Sequence, residues 1–167
     1  MEDIIMTAEQ PIQGMVKKMR LMKYVANLAV YVLIIAGIIF GLPNFLVWKL
    51  HTTYPMAAIT SGSMWPVLKE GDLVFIEGIM AKENIHIGDI VVFRNHQNGT
   101  LTIHRVVTIA PDKITTKGDA NFGTDNPVAY EDVIGKTYNI GGKPLHIPYL
   151  GSVTMFANKL KNNAQAQ

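Results

Sequence analysis

The sequence predicts a mainly β domain anchored to a membrane by one N-terminal helix, on three observations. An uncharged run at residues 24–42 is long enough to cross a bilayer. From Thr60 onward the chain breaks into short apolar stretches punctuated by Gly, Pro, Asn and Asp. None of those later stretches sustains a helical period. The 167 residues leave room for the span and one domain of about 100 residues.

The span comes first. Residues 1–23 are a weakly patterned start ending in Lys17, Lys18, Arg20 and Lys23. The run that follows, YVANLAVYVLIIAGIIFGL, has Asn27 as its one strongly polar residue, near its start, where headgroups can solvate it. It is too long for the apolar part of a cleaved signal peptide, and no A-x-A-like site closes it. The basic cluster places the N-terminus in the cytosol and everything after Leu42 on the far side of the membrane. Pro43 is expected to end the helix, with Trp48 and Tyr54 in the interfacial belt. An extracytoplasmic β domain is expected over 43–151 and a C-terminal tail over 152–167.

Within the domain, 59–76 reads as a strand end, a small-residue bend carrying Ser61 and Ser63, and a Gly71-Asp72 turn into an apolar strand. The stretches 72–76 and 89–94 begin alike, each with glycine opening the turn. Asn98-Gly99 predicts a type I′ hairpin into a long strand at 101–109, and with Thr100 it also forms an N-glycosylation sequon. Pro111-Asp112 turns the chain into 113–117, and 133–140 is the last clear strand. Residues 145–160 are apolar but broken by Pro148 and Gly151, so no second span is expected there.

Composition removes several functions. A net charge of +2 gives no electrostatic footprint for nucleic acid. The absence of cysteine excludes a thiol nucleophile and disulfides. Serine chemistry remains, and a serine hydroxyl needs a base, which needs an orienting group. The base candidates are His51, His86, His96, His104 and His146; His104 stands apart, inside an apolar strand and beside Arg105. Asp119 and Asp125 lie six apart in the turn-rich segment 117–127, which by itself also reads as an Asx-turn loop. The glycine and closing glutamate of an EF-hand are missing there, so no metal site is expected.

Three blocks, taken together and in order, resemble the type I signal peptidases: Ser61-Gly-Ser63-Met-Trp-Pro66 with Gly71-Asp72, then His104-Arg105, then Lys117-Gly-Asp119-Ala-Asn121 with Asp125. Histidine in the second block, where the main bacterial enzymes have lysine, is similar to the Ser-His-Asp branch of the ER and archaea, which some sporulating bacteria also possess. The resemblance covers residues 24–151. It implies a signal-peptidase-like compact β-domain in which Ser63 attacks, His104 is the base and Asp125 orients it. Asp119 is then a supporting group, and the Ser61 hydroxyl with the Ser63 N–H holds the oxyanion. Trp65 replaces the polar residue common in the family, and with Met64 it suggests an edge dipping into the lipid interface.

The resemblance implies a membrane serine endopeptidase that removes signal peptides after small residues, with no cofactor. Its implied partners are signal-peptide-bearing pre-proteins, the lipid bilayer, and the translocation channel or other signal peptidase subunits, but no nucleic acid. Its implied location is the plasma membrane of an archaeon or bacterium, or the ER membrane. An imidazole base predicts a rate that falls with acid, centred for an ordinary imidazole near pH ~6.5. A catalytically silent subunit that positions pre-proteins is the alternative from another class. A self-cleaving relative of the SOS-response repressors is a second, but those use a lysine base and a DNA-binding head in place of His104 and a membrane helix.

Overall fold

The computed structural model describes residues 2–96 and 99–165, with side chains described for 15–96, 99–157, 159 and 160. The chain divides into two compact units, residues 1–45 and 46–167. Asn98, on which the type I′ turn and the sequon both depend, lies outside the described residues.

The first unit is helical. Helix α1 spans Glu2–Ala36, a π-helical turn spans Gly37–Gly41, and α2 runs over Leu42–Leu50 into the second unit. From Met15 to Leu50 this is one apolar helix long enough to cross a membrane. Apart from half-buried Ala36, its apolar side chains from Met15 to Phe45 are exposed, as suits a helix able to span a membrane. The expectation that Pro43 ends the helix at Leu42 is corrected. Pro43 falls in the first turn of α2, directly after the π turn, where a missing N–H is tolerated. The Asn44 side-chain amide also donates to the Phe40 carbonyl at 2.7 Å.

The second unit is an antiparallel sheet. Its strands are β1 (Met56–Ala58), β2 (Leu73–Glu77), β3 (Ile90–Asn95), β4 (Thr100–Ile109), β5 (Lys113–Lys117), β6 (Val128–Ala129) and β7 (Val133–Thr137). They lie in the order β1-β2-β7-β3-β4-β5-β6. The pair β8 (Asn139–Ile140) and β9 (Lys143–Pro144) forms a separate ribbon, and β10 (His146–Ile147) pairs with β2. The expected final strand 133–140 is thus two short strands. The residues expected as a C-terminal tail lie in a helix: α3 spans Leu150–Gln165. Its entry is pinned by the Ser152 N–H donating to the Gly71 carbonyl at 3.1 Å. Gly151 fits because a Cβ there would run into the Asp72 carbonyl.

Strand β3 explains why the sheet has two apolar sides. Successive side chains of a strand point to opposite faces, and all four of Ile90, Val91, Val92 and Phe93 are buried. Ile90 and Val92 join Ile59, Met64, Leu68, Val74 and Ile76 in one cluster. Val91 and Phe93 join Ile85, Val106, Ile114 and Val128 in another. Each such burial contributes about 1.5–3 kcal/mol. Four on one strand therefore rival a domain's net stability of about 5–15 kcal/mol. Strand β4, next to β3, is held against a strand that cannot shift without exposing both clusters.

Candidate active site

Ser63 follows edge strand β1 at the bend the sequence predicts. The bend is anchored on both sides: Ile59 N–H donates to the Asp72 carbonyl and Gly71 N–H to the Ile59 carbonyl, each at 2.9 Å. Beyond the serine the chain winds into a helical turn, with Leu68 N–H on the Met64 carbonyl at 3.0 Å. Met64 and Leu68 are driven into the first apolar cluster. This corrects the lipid-facing edge expected of Met64 and Trp65, since Met64 is 1% exposed and only Trp65 faces outward.

The loop after β5 grips the serine from the other side. Ala120 N–H donates to the Ser63 carbonyl at 2.8 Å. That approach requires glycine at 118, because a Cβ there would sit 2.8 Å from the Ser63 carbonyl oxygen and 2.7 Å from Asn121 Nδ2.

His104 lies on β4 opposite Val91 of β3 and is 7% exposed, with its ring edge-on to Phe93 at 6.4 Å. A polar ring in such a place must find partners. Nδ1 lies 2.6 Å from Asp125 Oδ2, and Nε2 lies 3.1 Å from Ser63 Oγ. A carboxylate only accepts, so Nδ1 carries the ring proton and donates it to Asp125; Nε2 is left to accept from the serine hydroxyl. Asp125 is tied down by its own N–H on the Thr116 carbonyl at 2.8 Å and by the Thr116 hydroxyl donating to Oδ2 at 2.7 Å.

Asp119 sits elsewhere. Its two oxygens accept from Arg105 Nε at 2.8 Å and from the Arg105 terminal nitrogen at 2.7 Å, while the other terminal nitrogen donates to the Gly88 carbonyl at 2.7 Å. The hydrogen bonds to Asp119 push the Arg105 guanidinium above its already high ordinary value, against a smaller opposing effect of burial. Ser61 Oγ lies 3.2 Å from Ser63 Oγ, on an exposed side of the bend.

The structure therefore brings Ser61, Ser63, His104 and Asp125 together and sets Asp119 one residue over, on Arg105. The remaining histidines have partners elsewhere or lie elsewhere: His86 near Asp89 at 3.8 Å, His96 on Asp132 at 2.6 Å, and His146 near Asp72 at 3.7 Å. His51 follows α2 with φ of 50°. Sequence reasoning missed Thr116, whose only signal is a polar residue at a buried position of β5.

A cleft of about 260 Å³ opens beside Ser63 and His104, walled by Ala58 and Ile59 on one side and Leu101 and Ile103 on the other. The pairing of β4 with β5 begins only at Arg105, so the preceding half of β4 borders this cleft with β3 as its ladder partner.

The family described as signal peptidase, peptidase S26, matches residues 23–150. The signal peptidase complex catalytic subunit SEC11 of Colletotrichum graminicola is 29% identical over 126 residues, covering 69% of this chain and 73% of that protein. The subunit of the same name from Sclerotinia sclerotiorum is 30% identical over 126 residues, again with 69% and 73% covered. That of Ajellomyces capsulatus is 28% identical over 139 residues, with the same coverage.

Proposed function

The chain belongs to the signal peptidase family, peptidase S26, and on that premise we propose that its removal of signal peptides is carried by Ser63, His104 and Asp125. The observation that carries the proposal is the unbroken hydrogen-bond chain from Asp125 through His104 to Ser63, at 2.6 and 3.1 Å. Ser63 Oγ attacks the scissile carbonyl as its proton passes to His104 Nε2. Asp125 stabilises the imidazolium that forms. The carbonyl oxygen becomes an oxyanion held by the Ser63 N–H and the Ser61 hydroxyl. His104 then gives the proton to the departing amine, and water, activated by the same imidazole, releases the signal peptide from the serine ester.

The substrate enters as an extended chain between Ala58–Thr60 and the Leu101–His104 half of β4, adding main-chain hydrogen bonds along both. A cleft of about 260 Å³ lies below the ~300–1,000 Å³ of small-molecule sites. It suits a backbone with small side chains better than bulky ones, hence cleavage after small residues. The basic residues Lys17, Lys18, Arg20 and Lys23 support a cytosolic N-terminus, with the catalytic domain on the exported side of an ER or plasma membrane. The relatives are named as subunits of a signal peptidase complex, and this chain too would work beside other subunits, close to the channel that delivers pre-proteins. A silent subunit is disfavoured, because it would have no need of a serine, an imidazole and a carboxylate held at hydrogen-bond distance.

The test is cleavage of a pre-protein with an A-x-A site by the full chain in detergent, beside Ser63→Ala. Wild type should cut at that site and the variant should not; equal cutting by both removes Ser63 from the chemistry. Ser61→Ala should slow turnover on the order of 100- to 1,000-fold without abolishing it. An unchanged kcat would remove Ser61 from the oxyanion site.

A further inference from the structure

Strand β5 alternates, with Ile114 and Thr116 buried and Lys113, Thr115 and Lys117 facing outward to varying degrees. Ile114 belongs to the second apolar cluster, so an aliphatic residue is the default for its neighbour on the same face. Thr116 is completely buried instead. A buried hydroxyl without a partner is costly, and this one has a single specific use: it donates to Asp125 Oδ2 at 2.7 Å. The return contact runs from the Asp125 N–H to the Thr116 carbonyl at 2.8 Å. Side chain and main chain together form a two-point clamp on one residue.

The oxygen clamped is the one that His104 uses. Asp125 Oδ2 meets Thr116 Oγ1 and His104 Nδ1 at once, so the two donors fix the rotation of the carboxylate. Without the first donor the carboxylate, on a turn-rich loop and about a quarter exposed, can rotate toward solvent. Nδ1 would then lose the acceptor that keeps its proton away from Nε2. Thr116 itself reaches the site only through Asp125.

We propose that Thr116 is a positioning residue for the peptidase reaction, holding Asp125 Oδ2 against His104 Nδ1 so that Nε2 stays free to accept the Ser63 proton. This rests on the reading of Ser63, His104 and Asp125 as the reacting groups.

The experiment compares four proteins with hydroxyl and methyl exchanged at this one position, each full length in detergent and assayed on a pre-protein with an A-x-A site. Thr116→Val keeps the shape and removes the hydroxyl; kcat should fall roughly ten- to a hundredfold with KM nearly unchanged. Thr116→Ser should recover most of the rate. Thr116→Ala, which differs from the serine variant only by the hydroxyl, should be slow. If the valine variant does not fold, the serine and alanine pair carries the comparison alone. A valine variant as fast as wild type, or serine and alanine variants of equal rate, overturns the proposal. So does a rate loss that merely follows the loss of folded protein. Ser63→Ala separates the two levels. If Ser63→Ala still cleaves, the site reading and this proposal fall together. If it is dead while Thr116→Val is unimpaired, only the role of Thr116 falls.

Discussion

His104 and Arg105 are neighbours on β4, and each meets an aspartate from the same loop between β5 and β6. Their pairs look alike on paper, each a nitrogen donor against a carboxylate at under 3 Å. They differ in what lies at the far end. The imidazole passes from Asp125 to a serine hydroxyl, so a proton can move along the line. The guanidinium passes from Asp119 to the Gly88 carbonyl, where nothing can titrate. On the mechanism proposed above, the first pair is wired to the chemistry. The other ties the loop to β4 and to the turn before β3, holding Gly118 and Ala120 against the Ser63 carbonyl.

The largest test of that division is Asp125→Asn. An asparagine can offer its NH2 to Nδ1, which puts the ring proton on Nε2, the wrong nitrogen for a base. We expect kcat to fall on the order of 10⁴-fold with KM little changed. A loss smaller than tenfold would mean that the 2.6 Å contact does not orient the base.

Asp119→Asn should show the opposite profile. It leaves a partly buried guanidinium without its charged partner, at a cost of about 1–3 kcal/mol of stability. Because the loop loosens around Ser63, the rate should drop about tenfold, far less than for Asp125→Asn. Thermal unfolding beside kcat decides it. If Asp119→Asn loses as much rate as Asp125→Asn with an unchanged midpoint, the two pairs do not have separate jobs.

Acid separates them again. On the proposed mechanism a neutral imidazole accepts the serine proton, so activity should fall in acid, and a rate flat between about pH 5 and pH 8 would count against His104 as the base. Arg105 behaves otherwise. Its folded-state value is raised above the ordinary one, so the stability it contributes is fully present below that ordinary value. It is lost only as pH climbs through the folded value, in strong alkali. Between weak acid and weak base Arg105 should therefore be silent.

The contrast also shows what a sequence can carry. An uncharged 19-residue run announces a helix by length alone. The strands β3, β4 and β5 announce themselves by apolar stretches between turn residues. His104 stands out as a polar residue in such a strand. The rest depended on tertiary context. Pro43 ends a helix in isolation, but not when a π turn shifts it to a new first turn. Helix α3 was masked by Pro148 and Gly151, which lie at its entry and not in its body. Met64 and Trp65 are adjacent apolar residues, and only packing against Leu68 and Val74 shows that the first is core. Which aspartate meets which cation follows from the path of an irregular loop, and no periodicity encodes that. Thr115-Thr116 is a pair whose inward member is named only by the register of β5 against β4.

The smallest expected effect is the sharpest for the framing pair. Arg105→Lys keeps the charge and removes the fork. The guanidinium now spans both Asp119 oxygens and the Gly88 carbonyl with three separate N–H groups. An ammonium can sit beside the carboxylate but cannot reproduce that planar arrangement. Stability should fall by about 1 kcal/mol, the size of one or two net hydrogen bonds, read as a lower denaturation midpoint. The rate should fall only a fewfold. The position of the acid limb should not move, because the contacts of His104 to Asp125 and Ser63 do not involve Arg105. A displaced acid limb in Arg105→Lys, where the charge is kept, would show that the geometry of the framing pair is felt by the base, and that the two neighbours on β4 work as one unit.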